Sequence, residues 1–435
     1  MHLGSVQPTR ARYGVLGFML LLAAIAYLDR VCIAIAAPSI KSDLGLSDAQ
    51  MGYVFSAFTF AYALMEVPSG WLADRFGPRL MLTRIVIWWS LMTATTGAAA
   101  GFMSLLFVRT LFGIGEAGCF PSMSRAFARW LPAREHGRAF GLAVMTGALG
   151  GALTQPLVVW MLQRMSWRHT FPVFGAIGLA WALAWLWWFR DNPHHHASVN
   201  QAELEFIGTP PPVPQERMPW RNVLANRSVW AICGMYFGVI YGWYFFLTWM
   251  PTYLMRARGF DLKQAGWLAA LPLVGIATGV FCGGIWSDIL VRRCGLKIGR
   301  RTPGVVGLPV AAVAIVAGVR TSNAVAAAWL LAIAAMLAAL AVAPGWAVSL
   351  ELGGQHAGVV TGAMNMFGNL GGAMSPLIVG EWLQRRGAWE LPLWTVAGCY
   401  VLALLCWLAV DPAQRVITIS SSQNPKIAGA GTRFH

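Results

Sequence analysis

Residues 13–38 read YGVLGFMLLLAAIAYLDRVCIAIAAP. The run is long enough to cross a bilayer as a helix, which needs about 20 apolar residues. An acid and a base, Asp29 and Arg30, stand side by side near its middle. An ionisable side chain inside such a helix costs roughly 2.5–3.5 kcal/mol on insertion scales. The pair therefore predicts a membrane bundle whose water-filled interior these two side chains face.

The whole chain shares the apolar character of this segment. Of its 435 residues, 57% are hydrophobic and 11% are charged, whereas soluble domains carry about 25% charged residues. The net charge of +15 comes mostly from Lys and Arg in short loops between apolar runs, so it does not indicate nucleic-acid binding.

For the first apolar run, a retained span is favoured over a cleaved signal peptide, because the run is too long and the charged pair interrupts it.

Apolar runs recur along the chain and predict twelve spans. They are residues 13–37, 51–72, 80–100, 102–126, 139–163, 170–189, 228–254, 265–289, 303–319, 324–349, 358–383 and 391–410. Helices are expected, because lipid leaves an open strand unsatisfied and the runs lack the alternation of a barrel. The longest connection divides the spans six and six. We therefore predict a bundle over 1–190, a flexible cytoplasmic linker over 191–227, a second bundle over 228–411 and a polar tail over 412–435.

Basic residues predict the orientation. Loops on the side of the termini hold 21 Lys and Arg, and the opposite loops hold 9. Because basic loops stay in the cytoplasm, both termini are expected there, in a multi-pass protein of the inner (plasma) membrane.

Residues 194–196 are three histidines. A solvated loop is favoured over a metal site, since no second ligand cluster accompanies them.

A repeated motif indicates two similar halves. Residues 70–79 read GWLADRFGPR after the second span, and residues 284–288 read GIWSD after the eighth. Repeated halves are typical of secondary transporters. Asp74, Arg75 and Asp288 are predicted to form gate contacts, because carboxylate–arginine bonds at helix ends must break when the inside opens. A role in topology and solubility alone is the alternative.

These motifs resemble the major facilitator superfamily, whose signature after the second span is G-x-x-x-D-R-x-G-R-R. Pro78 replaces the first arginine of the final pair. Within the superfamily, the chain resembles the anion:cation symporter family, which includes galactonate- and hexuronate-type organic anion:proton symporters. The stretches that carry this resemblance are YLDR (27–30), FGIGEAGCFP (112–121), FFLTWMPTYL (245–254) and Asn365 within 362–372. It implies an all-α membrane protein of twelve transmembrane helices in two six-helix bundles.

Charged residues inside the spans are the main candidates for function. Arg109 and Glu116 lie seven residues apart, so two helical turns place them on one face. A carboxylate whose cationic partner changes between states can bind and release a proton. The resemblance implies that Asp29 and Glu116 couple protons, that Arg109 links them, and that Arg30 binds the substrate carboxylate. The alternatives are a buried network that serves only packing and an Arg30 that pairs only with Asp29 or Glu116.

The other substrate contacts are neutral. The resemblance places Tyr62 against the substrate anion. It also places Tyr236, Trp346 and Asn365 at the site, where neutral donors and rings suit hydroxyls or an apolar part. A sugar-acid carrier is expected to have an amide at position 236, so an aromatic or short aliphatic carboxylate is an alternative substrate. Glu66 replaces a common neutral amide, and it is either a titratable or cation-selective site or a silent partner of an arginine.

The predicted function is import of an organic carboxylate with protons by alternating access, by a monomer in the lipid bilayer. The spans contain no nucleotide motif, metal ligand set or nucleophile–base pair, so no cofactor, metal or enzymatic activity is predicted. Two alternatives stay open. One is an exchanger or efflux carrier of the same fold, and the other is a membrane sensor that binds the anion without moving it.

Overall fold

The computed structural model describes residues 7–132, 135–208, 220–354 and 357–414. Within these ranges the chain is helical and has no strand. The helices are α1 (Ala11–Leu44), α2 (Asp48–Thr96), α3 (Phe102–Glu116), α4 (Cys119–Trp130), α5 (His136–Leu162), α6 (Trp167–Trp188), α7 (Gln201–Ile207), α8 (Trp220–Ala225), α9 (Arg227–Thr248), α10 (Met250–Arg258), α11 (Leu262–Cys294), α12 (Leu296–Arg320), α13 (Ala324–Ala339), α14 (Val342–Gly353), α15 (Ala357–Arg386) and α16 (Glu390–Ala409).

These helices contain the twelve predicted spans. Among the described residues, nine segments are long and apolar enough to cross a membrane, and two of them, Phe102–Trp130 and Ala324–Gly353, combine consecutive helices. The remaining three spans lie in α2, which covers two of them, and in α15. The predicted all-α membrane architecture is therefore confirmed.

The two spans within α2 are joined at Gly77. A straight helix of 49 residues would extend about 74 Å, more than twice the ~30 Å hydrocarbon core of a bilayer. Gly77 departs from helical geometry with φ 76° and ψ 158°, and Pro78 follows it. Glycine adopts this left-handed region without strain. A Cβ at Gly77 would also lie 2.9 Å from a carboxylate oxygen of Asp191, so the motif glycine permits both the turn and this approach.

The helices form two six-span bundles that meet along two helix pairs. In the first bundle α2 packs on α3 and α6, and α1 packs on α5. In the second bundle α9 packs on α15 and α16, and α11 packs on α13. Between the bundles, α2 packs on α15 and α5 packs on α11. The predicted arrangement of two bundles is confirmed.

The bundles are closed against each other at the end away from the termini, here called the distal end. Gly52 of α2 lies so close to α15 that a Cβ would approach the Pro376 carbonyl oxygen to 2.6 Å. Ser56 donates a hydrogen bond to the Ala373 carbonyl at 2.7 Å. An ion pair of 2.8 Å joins Arg256 to Asp48. Backbone contact, hydrogen bond and ion pair together hold the distal ends of the two halves.

Part of the segment predicted as a flexible linker is folded. Helix α7 docks on the start of α1, where Glu203 forms a buried ion pair of 2.6 Å with Arg12. The Arg12 guanidinium also lies 4.1 Å from the centre of the Phe206 ring. Buried charge pairing and ring contact explain why this polar stretch is ordered. The residue boundaries assigned to bundles, linker and tail stay predictions, and most of the tail, 415–435, lies outside the described residues.

Candidate functional site

Arg30 and Glu116 form a buried ion pair inside the first bundle. Nε and Nη2 of Arg30 lie 2.7 and 2.6 Å from Oε1 of Glu116. The two side chains are only 8% and 0% exposed. Because desolvation offsets most of the attraction in a buried pair, such pairs add little net stability. Ionised groups at membrane depth mark substrate and proton pathways by default, so this pair is the centre of the candidate site.

A helix break positions Glu116. Helix α3 ends at Glu116 and α4 begins at Cys119, although the sequence predicted one continuous span. The Glu116 side chain therefore lies at a helix terminus, where the regular series of backbone hydrogen bonds is interrupted. Discontinuous helices form the binding sites of many secondary transporters. Breaks also separate α9 from α10 and α13 from α14 in the second bundle.

Aromatic rings surround the Arg30 guanidinium. Its central carbon lies 4.9 Å from the ring centre of Tyr62 and 5.2 Å from that of Phe58. Tyr27 and Phe120 lie at 5.6 and 6.0 Å. These are cation–π distances, so the four rings stabilise the buried cation. Tyr62, which the resemblance places against the substrate anion, therefore lies beside Arg30, and the predicted site residues do not include the other three rings.

Asp29 is nearly fully buried, with 1% of its surface exposed. Neither of its carboxylate oxygens accepts a hydrogen bond from a described protein group. Trp89 and Thr93 are its nearest polar neighbours, and it interacts electrostatically with Glu116 and Arg109. Asp29 is therefore a buried acid close to the Arg30–Glu116 pair.

Arg109 does not bridge Asp29 and Glu116 by direct contact. Among the described residues no carboxylate lies within ion-pair distance of it, and its guanidinium lies 4.4 and 5.1 Å from the ring centres of Phe112 and Phe58. In this structure Arg30 holds Glu116 instead. The expected link is present here as electrostatic interaction of Arg109 with both acids.

Glu66 connects the two bundles. Its Oε1 accepts a hydrogen bond from the Asn365 amide, and its Oε2 accepts one of 3.2 Å from the Asn369 amide. Because no arginine of the described residues lies within ion-pair distance of Glu66, the silent arginine pair is not observed, and the titratable or cation-selective alternative stays a prediction. The predicted residue Asn365 is thus in the central region, together with Asn369, which the set of predicted site residues omitted.

Tyr236 and Trp346 contact each other in the second bundle. The Trp346 indole donates a hydrogen bond of 3.1 Å to the Tyr236 hydroxyl. Phe140 of the first bundle reaches the same indole, with ring centres 5.4 Å apart. This trio adds neutral and aromatic surface between the bundles.

A model of the Major Facilitator Superfamily matches residues 19–376 of the chain. The chain belongs to the Major Facilitator Superfamily. A solved bacterial homologue of the human lysosomal transporter Spinster, in an inward-facing and occupied conformation, superposes with a TM-score of 0.72 at 22% identity over 93% of this chain and 97% of that chain. This likeness concerns the fold alone.

Several curated transporters are similar to this facilitator along nearly its whole length. A probable sulfoacetate transporter of Cupriavidus necator is 36% identical, covering 95% of this chain and 96% of the relative. A probable galactarate/D-glucarate transporter of Bacillus subtilis is 33% identical over 96% of each chain. A D-galactonate transporter of Escherichia coli is 32% identical over 95% and 98%. The family and these relatives are transporters, so the chain is a transporter and not an enzyme.

The structure gives contacts for two of the three predicted gate residues, Asp288 and Arg75. Asp288 pairs with Arg300 at 2.7 Å, and Arg300 also pairs with Glu351 at 2.9 Å. All three lie in the second bundle, on α11, α12 and α14. Arg75 lies 5.8 Å from the ring centre of Phe76, and the side chain of Asp74 lies outside the described residues. A gating role for the three predicted residues stays a prediction.

The histidine triplet does not form a metal site among the described residues, which hold no group of three His, Cys, Asp or Glu suited to a metal ion. His194 and His195 are exposed. His196 is buried between two tryptophans, 5.2 Å from the ring centre of Trp130 and 4.7 Å from that of Trp188. It therefore packs the linker onto the first bundle.

Proposed function

We propose that this facilitator imports a small organic carboxylate together with protons by alternating access, as a monomer in the inner membrane with both termini in the cytoplasm. The observation that carries the proposal is the buried Arg30–Glu116 ion pair with Asp29 beside it. The names of the sulfoacetate, galactarate/D-glucarate and D-galactonate relatives support an organic anion as the substrate. The distribution of basic loop residues supports the orientation.

In the proposed cycle the substrate carboxylate replaces Glu116 on Arg30. A guanidinium binds either carboxylate in the same planar geometry, and the rings of Tyr62 and Phe58 keep it in place during the exchange. Once released from Arg30, Glu116 takes up a proton, because an unpaired carboxylate is costly in an apolar interior. Asp29, which interacts electrostatically with Glu116 and Arg109, is the second proton carrier, and Arg109 stabilises whichever acid is ionised.

Proton binding offsets an electrical cost. Bringing one negative charge into a negative-inside cell opposes roughly 2.3 kcal/mol per 100 mV. One proton per negative charge removes that cost, and each further proton draws on the gradient. Two titratable acids near one substrate site provide this capacity.

The test is uptake of labelled sulfoacetate, D-galactonate and D-glucarate into proteoliposomes with an alkaline interior. The native protein is compared with Asp29→Asn and Glu116→Gln, and with Asp261→Asn as a control, since Asp261 caps α11 at the distal end away from the site. We expect gradient-dependent uptake of at least one acid, lost in both site variants and kept in the control.

Other outcomes are equally informative. Gradient-independent uptake that both variants retain would contradict proton coupling and favour an exchanger or uniporter. Saturable binding of the same acids without any flux would favour the sensor instead.

A further inference from the structure

We propose that Asn365 and Asn369 form a second acid-binding subsite, which Glu66 occupies here as an internal substitute for a ligand. The transported compound is then a short dianion with an acidic group at each end, either a dicarboxylate or a sulfocarboxylate. This inference rests on the proposed function and deepens it, because it assigns a residue set to the far end of the substrate.

The geometry of the contact is that of a bound carboxylate. Each oxygen of Glu66 accepts a hydrogen bond from a different amide, Oε1 from Asn365 and Oε2 from Asn369. The two asparagines are four residues apart on α15, so their side chains stand one turn apart on the same face. A free carboxylate or sulfonate presents paired oxygens to such donors in the same way.

Glu66 is a costly residue for a purely structural contact. It is 8% exposed, and no Lys or Arg of the described residues lies within ion-pair distance of it. A neutral amide at position 66 would join the bundles by hydrogen bonds without placing a charge at membrane depth. The carboxylate fits a different role, which is to occupy anion donors while the site is empty and to be displaced when the substrate arrives.

The two donor sets of the site follow the same pattern. Arg30 is occupied by Glu116, and the asparagine pair is occupied by Glu66. Tyr62 is close to both, because its ring is 4.9 Å from the Arg30 guanidinium and it interacts electrostatically with Glu66. Arg30 also acts electrostatically on Glu66, so the two subsites are neighbours in the site, as a dianion with an acid group at each end requires.

The two subsites also lie on different bundles. Arg30 belongs to the first bundle and the asparagine pair to the second, so a dianion bound to both would join the halves as Glu66 does now. A monoanion would engage Arg30 and leave Glu66 in place. The inference therefore predicts selectivity for diacids over monoacids of equal chain length, set by residue 66.

Calorimetric binding to the purified full chain tests this with matched probes, namely succinate against butyrate and D-glucarate against D-gluconate. In Glu66→Ala we expect the ratio of diacid to monoacid affinity to rise about tenfold, because the diacid no longer competes with the internal carboxylate for hydrogen bonds to the two amides. Adding Asn369→Ala to Glu66→Ala should lower that ratio about tenfold again. Tyr53→Phe removes another hydrogen bond between the bundles, to Glu381 at 2.9 Å, and should leave the ratio unchanged.

The outcomes separate the two proposals. An affinity ratio that Glu66→Ala leaves unchanged or lowers, with Arg30-dependent monoacid binding intact, would overturn the second subsite and keep the proposed function. Parallel changes in Tyr53→Phe and Glu66→Ala would assign Glu66 to bundle contact alone. No binding of any acid by the native chain, Glu66→Ala or Arg30→Gln would overturn both proposals.

Discussion

The two bundles contribute opposite chemistry to the same central region. The first bundle buries Asp29, Arg30, Arg109 and Glu116, each no more than 8% exposed. The second bundle contributes the amides of α15 and the Tyr236–Trp346 contact, all of them neutral. Charge is thus concentrated on one side of the site and neutral polar groups on the other.

This difference indicates different roles for the charged first bundle and the neutral second bundle. Ionised groups change partners as protons and anions come and go, because their interaction energies at low dielectric are large. Neutral amides, hydroxyls and rings keep one arrangement and define the shape of the site. Substitutions in the first bundle should therefore alter transport far more than isosteric substitutions in the second bundle.

The largest effect is expected for Arg30→Gln. It leaves Glu116 buried without its cation, and removing one partner of a buried pair costs about 3–5 kcal/mol. We expect uptake by proteoliposomes to fall by at least about 100-fold, since 1.4 kcal/mol corresponds to tenfold. Arg386→Gln, at a more exposed arginine on α15, serves as the control and should transport normally. Residual uptake above about a tenth of native would contradict a central role for the cation.

A smaller effect is expected for Tyr236→Phe in the second bundle. It removes the acceptor of the Trp346 indole, and a neutral hydrogen bond contributes about 1 kcal/mol. The concentration dependence of uptake should show KM raised by about three- to tenfold. Tyr241→Phe on the same helix removes a bond to Thr395 of 3.0 Å on the side facing α16, and should not change KM. A loss of uptake with Tyr236→Phe as large as with Arg30→Gln would contradict the predicted difference between the bundles.

A comparable contrast exists at the ends near the termini. At the first bundle, Asp191 at the start of the linker accepts a hydrogen bond from the Arg79 backbone at 3.1 Å and pairs with Arg129 at 3.2 Å. In the second bundle Arg300 is the centre, with Asp288 and Glu351 around it. An acid is therefore the shared partner in the contacts at the first bundle, and a base is the shared partner in those of the second bundle.

Arg300→Gln should lower the free energy of unfolding by about 1 kcal/mol, the upper range for partly exposed pairs. Thermal unfolding in detergent measures the change. Asp288→Asn removes only the more exposed of the two pairs and should have the smaller effect on stability. A drop in uptake with Asp288→Asn at unchanged stability would support its predicted gating role.

The smallest effect concerns the linker, whose folded part docks on the first bundle. Burial against Trp130 and Trp188 lowers the pKa of His196 from its ordinary value of 6.5, and the charge of Arg190 acts in the same direction. The undocked form therefore binds the proton more readily, and docking weakens as the pH falls below about 6.5. Hydrogen exchange of residues 193–208 should be faster at pH 5.5 than at pH 7.5 after correction for intrinsic rates.

His196→Phe keeps the ring contacts without the titration, so its exchange protection should not depend on pH in this range. His195→Phe alters an exposed neighbour and should behave as the native chain. Equal pH dependence in the native chain and in His196→Phe would assign the effect to another group.

Much of the fold was predictable from local patterns. The apolar runs indicated twelve spans, and the structure places them all in helices, because a bilayer imposes a minimum run length on each crossing. The breaks after Glu116 and before Met250 were not predictable, since an apolar run looks the same whether its helix is continuous or interrupted. The folded linker was missed because its order depends on burial of Arg12 and Glu203, which are 191 residues apart.

For the candidate site, composition and spacing by themselves determined that Asp29, Arg30, Arg109 and Glu116 lie inside a membrane bundle. The reason is that charges within apolar runs have no other tolerable position. Only the tertiary structure decided which partner each charge takes. Arg30 rather than Arg109 holds Glu116, and Glu66 meets amides 299 and 303 residues away. Several chemically equivalent pairings exist in one sequence, and helix packing selects among them.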